Sequence, residues 1–98
     1  MMTLDELKTT LGSAAPPDGL PQTILALWHD ARGDWEAAHH VAQEIDGPDG
    51  AWIHAYLHRK EGDLGNADYW YHRAGRPAAS GPLDAEWTAI ASALLARV

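Results

Sequence analysis

Two histidines stand four residues apart in the segment HAYLHRKEGD, at His54 and His58. Residues at positions i and i+4 of a helix share one face, so both imidazoles could coordinate one metal ion. An internal repeat of the chain places His29 at the position equivalent to His58, on a neighbouring helix. Three imidazoles could therefore converge on a metal-binding or hydrolytic site, with Asp30 or Asp34 adding a carboxylate.

Packing explains the same histidines without any chemistry. An inward-facing histidine fills space and can donate a hydrogen bond to a backbone carbonyl or an aspartate. Ala55 follows His54, whereas the HExxH helix of a zinc protease carries a glutamate at that position. We therefore favour packing for His29, His54 and His58, keep metal binding and acid–base chemistry as alternatives, and expect no cofactor.

The other histidines give fewer indications. His39 and His40 are adjacent, and neighbouring residues diverge by roughly 100° around a helix, so the two cannot face one metal ion. One of them is therefore expected to be exposed. His72 is expected on the solvent side of its helix.

A second candidate surface is a stripe of large side chains at positions i, i+4 and i+7. It consists of Trp52, Tyr56 and Arg59. Aromatic residues and arginine are enriched at binding hot spots, so the stripe could bind a protein or a peptide. The alternative is that the N-terminal segment or the last helix covers the stripe and makes it part of the core.

Other kinds of active site find little support. The chain has no cysteine, which excludes a thiolate metal site and a cysteine nucleophile. The segment GDLGNAD does not match the phosphate-binding GxxxxGK[ST] loop. Ser13, Ser80 and Ser92 lack the context of a nucleophile elbow. These features favour a non-catalytic protein over an enzyme.

The charge balance excludes several classes of partner. Seven basic residues stand against 14 acidic ones, a net charge of −7. Nucleic acids and anionic membranes both require a positive patch, so neither is expected to bind. The start, MMTLDELKTTLG, lacks the apolar core of a signal peptide, and no apolar run approaches the ~18 residues that span a bilayer. We expect a cytoplasmic protein.

Helix start and stop signals divide the chain into helical segments. Thr3 and Glu6 have the spacing of a capping box, and the prolines of GSAAPPDGLP exclude a helix there. Each of two Gly-Asp pairs, at 33–34 and 62–63, combines a left-handed C-cap with an N-cap for the next helix. The predicted helices cover residues 4–11, 21–33, 35–45, 50–61, 64–74 and 82–97, and the predicted packed tryptophans are Trp28, Trp35, Trp70 and Trp87.

An internal repeat organises the middle of the chain. Residues 23–45 align with 52–74 without a gap, at a period of 29 and with six identities. The Gly-Asp pair falls at the same corner in both units. Ala38 matches Ala67, at a point where the two helices of a hairpin must approach closely. The repeat predicts two tandem antiparallel helix hairpins.

The segment EGDLGNADYWYHRAG resembles the second half of a tetratricopeptide or Sel1-like repeat. The family's spacing of glycine, alanine, aromatic residue and alanine is met by Gly62, Ala67, Tyr71 and Ala74. The resemblance covers about half of the chain and implies a protein-interaction module. The segment HAYLHRKEGD also resembles a signature of a family of small proteins, from which no activity follows.

These features predict an all-α single domain over residues 1–98, a bundle of about five helices. Residues 1–20 would form a short helix and a linker, 21–75 two tetratricopeptide-like hairpins, and 82–97 a capping helix. The leading functional hypothesis is a non-catalytic module that binds a protein or peptide. The alternatives are the histidine site and a homo-oligomer, such as a homodimer, formed through an exposed tryptophan face.

Overall fold

The computed structural model describes residues 2–97, which fold into six α-helices without a strand. The all-α prediction is confirmed. The six helices correspond to the six predicted segments, so the expectation of a bundle of about five helices was close. The helices are α1 (Leu4–Thr10), α2 (Gln22–Ala31), α3 (Trp35–Gln43), α4 (Pro48–Lys60), α5 (Leu64–Ala74) and α6 (Leu83–Leu95).

The two Gly-Asp corners have nearly the same backbone structure. Gly33 and Gly62 have φ angles of 82° and 88°, a left-handed conformation that only glycine adopts without strain. The carboxylates of Asp34 and Asp63 accept hydrogen bonds from the amides three residues later, at 3.1 and 3.3 Å. Both corners were therefore correctly predicted from the local sequence.

The packing places α4 at the centre of the molecule. Within residues 2–97, α4 contacts α2, α3, α5 and α6, and all its residues from Gly50 to Leu57 and His58 are buried. Helix α2 packs on α3, and α6 packs on both α2 and α4. The central part of α4, from Gly50 to His58, is therefore buried on every face, whereas Pro48 and Lys60 at its two ends are exposed.

Tryptophan N–H groups connect the elements around this core. Trp87 donates to the Leu27 carbonyl at 3.0 Å, and Trp28 donates to Thr10 Oγ1 at 3.1 Å. Both tryptophans are buried, as predicted. Half-buried Trp35 donates to the Leu57 carbonyl at 2.8 Å and so ties α3 to α4.

The stripe on α4 is covered rather than open. Trp52 is only 7% exposed. Tyr56 donates its hydroxyl proton to Asp30 of α2 at 2.7 Å, and Arg59 donates to Glu86 of α6 at 2.8 Å. The sequence left two alternatives, an open binding surface and a covered stripe, and the structure agrees with the covered stripe. The Arg76 guanidinium lies over the Trp52 ring, 3.4 Å from its centroid. The stripe therefore does not line an accessible groove.

Within the described part of the chain, each helix is too short and too polar to cross a lipid bilayer.

Candidate metal centre

Three imidazoles meet at the contact between α3 and α4. His39 comes from α3, and His54 and His58 come from α4. One ring nitrogen of each histidine lies within 4.8 Å of the corresponding nitrogens of the other two. The closest pair is His39 Nε2 and His54 Nε2, 2.9 Å apart. We refer to these three residues as the histidine cluster.

The local sequence explains how the cluster is assembled. His54 and His58 lie one turn apart on the same face of α4, and their rings stack with centroids 4.8 Å apart. On α3, Ala38 and Ala42 are buried, and residue 39 is rotated by roughly 100° from residue 38. His39 therefore flanks the buried alanine face and reaches the neighbouring α4.

His29, the third imidazole of the metal-binding alternative, does not reach the cluster. His29 is half-buried and lies outside the cluster, with its ring edge-on to Trp28 at a centroid distance of 5.4 Å. Repeat-equivalent side chains point in parallel directions and not toward each other. His58 lies on α4 and contacts His39 of α3, the preceding helix. His29 lies on α2, which is preceded by a loop that contains no histidine.

The other histidine predictions are confirmed. His40 is exposed while its neighbour His39 enters the cluster, and His72 is exposed on α5. The sequence contained a signal for His39, because the buried Ala38 fixes which face of α3 meets other helices. That signal became useful only once α3 was known to lie against α4.

The surroundings of the cluster favour neutral imidazoles. Burial, followed by the neighbouring rings of His39 and His58, lowers the pKa of His54 to about 4. Burial and the nearby His58 also lower the pKa of His39. A neutral imidazole carries the free lone pair that a metal ion needs. At neutral pH His39 and His54 are therefore in the protonation state that binds metal.

The close contact between His39 and His54 is a hydrogen bond in which one Nε2 donates and the other accepts. A metal ion between the two nitrogens would replace this shared proton. In tetrahedral zinc sites with Zn–N bonds of 2.0–2.1 Å, ligand nitrogens lie roughly 3.3 Å apart. The 2.9 Å contact is shorter than that value by a few tenths of an ångström, so a small outward movement of the two rings would give them the spacing of zinc ligands.

A carboxylate holds the third ring in place. His58 Nδ1 lies 2.8 Å from Glu61 Oε1, one turn further along the chain. Histidines that bind metals commonly donate their second ring N–H to a carboxylate, which fixes the tautomer and the ring orientation. With Nδ1 bound to Glu61, Nε2 is the nitrogen of His58 that remains for a metal ion.

Two tryptophans form the walls of the cluster. Trp35 stacks on His39 with centroids 4.8 Å apart, and Trp70 stacks on His54 at 4.0 Å. Trp70 is half-buried. These stacked rings restrict the rotation of both imidazoles and keep water from two sides of the cluster.

A second group of potential ligands shares His58 with Glu61 and Asp63. Both acidic residues are exposed, and Asp63 already caps α5. This group is explained by helix capping and by the orientation of His58.

No protein-family model matches the chain, and comparisons with curated proteins and with solved structures find no significant match. Its function is therefore inferred from the geometry of its own residues.

Proposed function

We propose that this protein binds one divalent transition-metal ion through His39, His54 and His58. The observation that supports this function best is the approach of three imidazole nitrogens to within 4.8 Å of one another. If the three imidazoles only filled space, apolar side chains could replace them. Three adjacent imidazoles form a nitrogen-donor set for a metal ion.

The donor set defines the class of metal. Imidazole ligands suit Zn²⁺, Cu²⁺, Ni²⁺ and Co²⁺, whereas Mg²⁺ and Ca²⁺ prefer oxygen ligands. The chain has no cysteine, so it offers no thiolate for a softer ion. We therefore assign the site to borderline divalent ions, with affinities that follow the order Co²⁺ < Ni²⁺ < Cu²⁺ > Zn²⁺.

Three protein ligands leave a coordination position for water or another small ligand. An enzyme would also need a general acid or base at that position. Glu61, the carboxylate bonded to the cluster, already accepts from His58. The proposal is therefore metal binding without a catalytic step.

We further propose that α2–α3 and α4–α5 are two tetratricopeptide-like units that serve as the scaffold for the cluster. The matching φ angles and caps at the two Gly-Asp corners support this proposal. The cluster would then lie between the second helix of one unit and the first helix of the next. The peptide-binding role implied by the resemblance is not assigned to Trp52, Tyr56 and Arg59, because the two aromatic residues are buried and Arg59 is bonded to Glu86.

Metal titration of purified, metal-free protein tests the proposal. Isothermal titration calorimetry with Zn²⁺ and Ni²⁺ should show one equivalent bound. His39→Ala should weaken binding by about 100-fold or more, because losing a ligand exceeds the 10–100-fold loss typical of its hydrogen-bond partners. His29→Ala is the matched control, since His29 is also half-buried and lies outside the cluster.

Metal binding to the wild type and to His29→Ala, but not to His39→Ala, is the expected pattern. Equal affinity in all three proteins would place the metal elsewhere. Absence of binding at micromolar Zn²⁺, Ni²⁺ and Cu²⁺ would reduce the cluster to packing. Circular dichroism of each variant would confirm that its helices are retained.

A further inference from the structure

A cleft of about 870 Å³ lies on the side of α4 that faces α2 and α6. It shares no lining residue with the histidine cluster. Small-molecule sites typically measure 300–1,000 Å³, so the cleft has the size of a ligand pocket. Its walls come from the first turns of α6 and from residues at or just beyond the C-terminal ends of α1, α2 and α4. Its apolar lining includes Leu11, Leu83 and Trp87.

A buried carboxylate stands in the wall of this cleft. Asp30 is only 2% exposed, although it lines the cleft. Its Oδ2 accepts a hydrogen bond from Tyr56 at 2.7 Å, and its Oδ1 accepts from Lys60 Nζ at 2.8 Å. A buried carboxylate is stable only beside a compensating cation, and here the cation is the Lys60 ammonium.

The two partners of this ion pair differ in accessibility. The Lys60 side chain is 36% exposed, whereas that of Asp30 is 1% exposed. The lysine can therefore swing out into solvent while the carboxylate stays in place. The position of Nζ, 2.8 Å from Asp30 Oδ1, marks where an ammonium group fits in the cleft.

We propose that the cleft binds a small organic cation, an amine with an apolar body, whose ammonium replaces Lys60 at Asp30. Exchange of one ammonium for another keeps the buried carboxylate compensated throughout. The apolar part of the ligand would lie against Leu11, Leu83 and the aromatic wall formed by Tyr56 and Trp87. Aromatic side chains also attract cations through their ring faces.

The charges around the cleft favour a cation over an anion. Lys8 and Lys60 both line the cleft, but the Lys60 ammonium is bound to Asp30. Asp84 adds a second carboxylate to the lining. The net charge of −7 raises the local concentration of cations and repels anions.

The same geometry predicts that Lys60 competes with the ligand. A tethered ammonium acts at a high effective concentration, so the wild-type protein should bind the cation weakly. Lys60→Met keeps the length and apolar stem of the side chain but removes its charge. This variant should therefore bind the cation more tightly than the wild type does.

Binding of benzylammonium, followed by isothermal titration calorimetry and by nitrogen–proton NMR shifts, tests the proposal in metal-free protein. Lys60→Met should tighten binding by about fivefold or more, since the tethered competitor is gone. Lys8→Met is the matched control, because it removes a positive charge from the same cleft without vacating Asp30. Its effect should stay within about twofold, as expected for a screened surface charge.

Benzyl alcohol and benzoate serve as the neutral and anionic probes of equal shape. The expected result is that only benzylammonium binds, with shifts at Leu83, Ala85 and Thr88. Preference for benzoate would overturn the proposal, as would equal gains in Lys60→Met and Lys8→Met. Failure of benzylammonium to bind either the wild type or Lys60→Met would also overturn it. Asp30→Asn should abolish binding. Circular dichroism checks that both variants keep their helices, since Lys60→Met leaves the buried Asp30 carboxylate without its cation. If either variant unfolds, the preference of the wild type for benzylammonium over benzoate decides the question.

Discussion

The polar side chains on the two sides of α4 have different kinds of hydrogen-bond partner. Toward α2 and α6, each buried acid has partners of opposite character: Asp30 is bonded to Tyr56 and Lys60, and Glu86 is bonded to Arg59. Toward α3, the clustered polar groups are imidazoles: His39 and His54 are bonded to each other, and His58 is bonded to Glu61. The first side is complete within the chain, whereas the second has room for an ion among groups of one kind.

The tyrosines sharpen this contrast. Burial, and then the hydrogen bond to Asp30, raises the pKa of Tyr56, so its hydroxyl stays protonated and acts as a permanent donor. Tyr71 has the same role at Glu86, where burial and the hydrogen bond to that carboxylate raise its pKa. The acidic side therefore has fixed donors and acceptors. The histidine cluster has nitrogens that can exchange a proton for a metal ion.

The largest loss of stability is expected when the buried ion pair between α4 and α6 is removed. Arg59→Ala would leave Glu86 buried without its cation, at a cost of about 3–5 kcal/mol in the free energy of unfolding. Urea denaturation would measure this loss. Arg97→Ala is the control, since it removes an exposed ion pair with Asp49 and should cost less than about 1 kcal/mol. Similar losses in the two variants would mean that burial does not make the Arg59–Glu86 pair more important to stability than an exposed pair.

Low pH should destabilise the protein by protonating the histidine cluster. The pKa of His54 is about 4 in the folded protein, and it is near 6.5 for an unperturbed histidine. The unfolded chain therefore binds the proton more readily, and stability falls as the pH drops from about 6.5 to about 4. This titration alone would remove on the order of 3 kcal/mol.

Urea denaturation of metal-free protein at pH 7.0 and 4.5 would measure this loss, and NMR titration of the histidine ring protons would follow His54 directly. Exposed His72 is the internal reference for a histidine outside the cluster. If His54 titrated together with His72, its imidazole would not be held neutral by its surroundings.

A smaller effect is expected from the carboxylate that orients His58. Glu61→Gln keeps a hydrogen-bond acceptor at nearly the same place but removes the charge. Metal affinity should fall by about tenfold, the lower end of the range for such outer-shell partners. Glu44→Gln is a control of equal charge change, because Glu44 is an exposed residue at the end of α3. Equal affinities in both variants would show that Glu61 does not orient a ligand.

The smallest effect concerns the corner that both sides share. Lys60 and Glu61 precede Gly62, whose φ of 88° would strain an alanine even though a Cβ would meet no atom within 4 Å. Gly62→Ala should therefore cost about 1 kcal/mol or more in thermal or urea melts. Gly65→Ala, inside α5 and equally unobstructed, should be neutral or stabilising by up to about 1 kcal/mol. A neutral Gly62→Ala would contradict the left-handed corner.

Local signals in the sequence were enough to predict the helices and their corners. The Thr3–Glu6 capping box forms as expected, and both Gly-Asp pairs end one helix and begin the next. Each of these features depends on residues three or four positions apart. The chain order alone contains that information.

The candidate site could be predicted only in part, because it depends on which helices touch. His54 and His58 were found from their spacing along one helix. His39 was missed because its role depends on α3 lying against α4. The stripe of Trp52, Tyr56 and Arg59 suggested a surface because helical periodicity cannot distinguish an exposed face from a second buried one. Helix α4 is buried on all sides, so its periodicity identified no exposed face.

The central position of α4 also has a consequence for the exchange of its amide protons with solvent. Amides in a helix that is buried all round exchange only when the whole domain opens, whereas the ends of a chain fray in smaller, cheaper openings. His54 and His58 lie on α4, whose amides should exchange most slowly. His39 lies on α3, a helix that packs against one side of α4. A bound ion would then leave through a local opening of α3, long before α4 itself unfolds. The lifetime of the complex would be set by the detachment of one short helix.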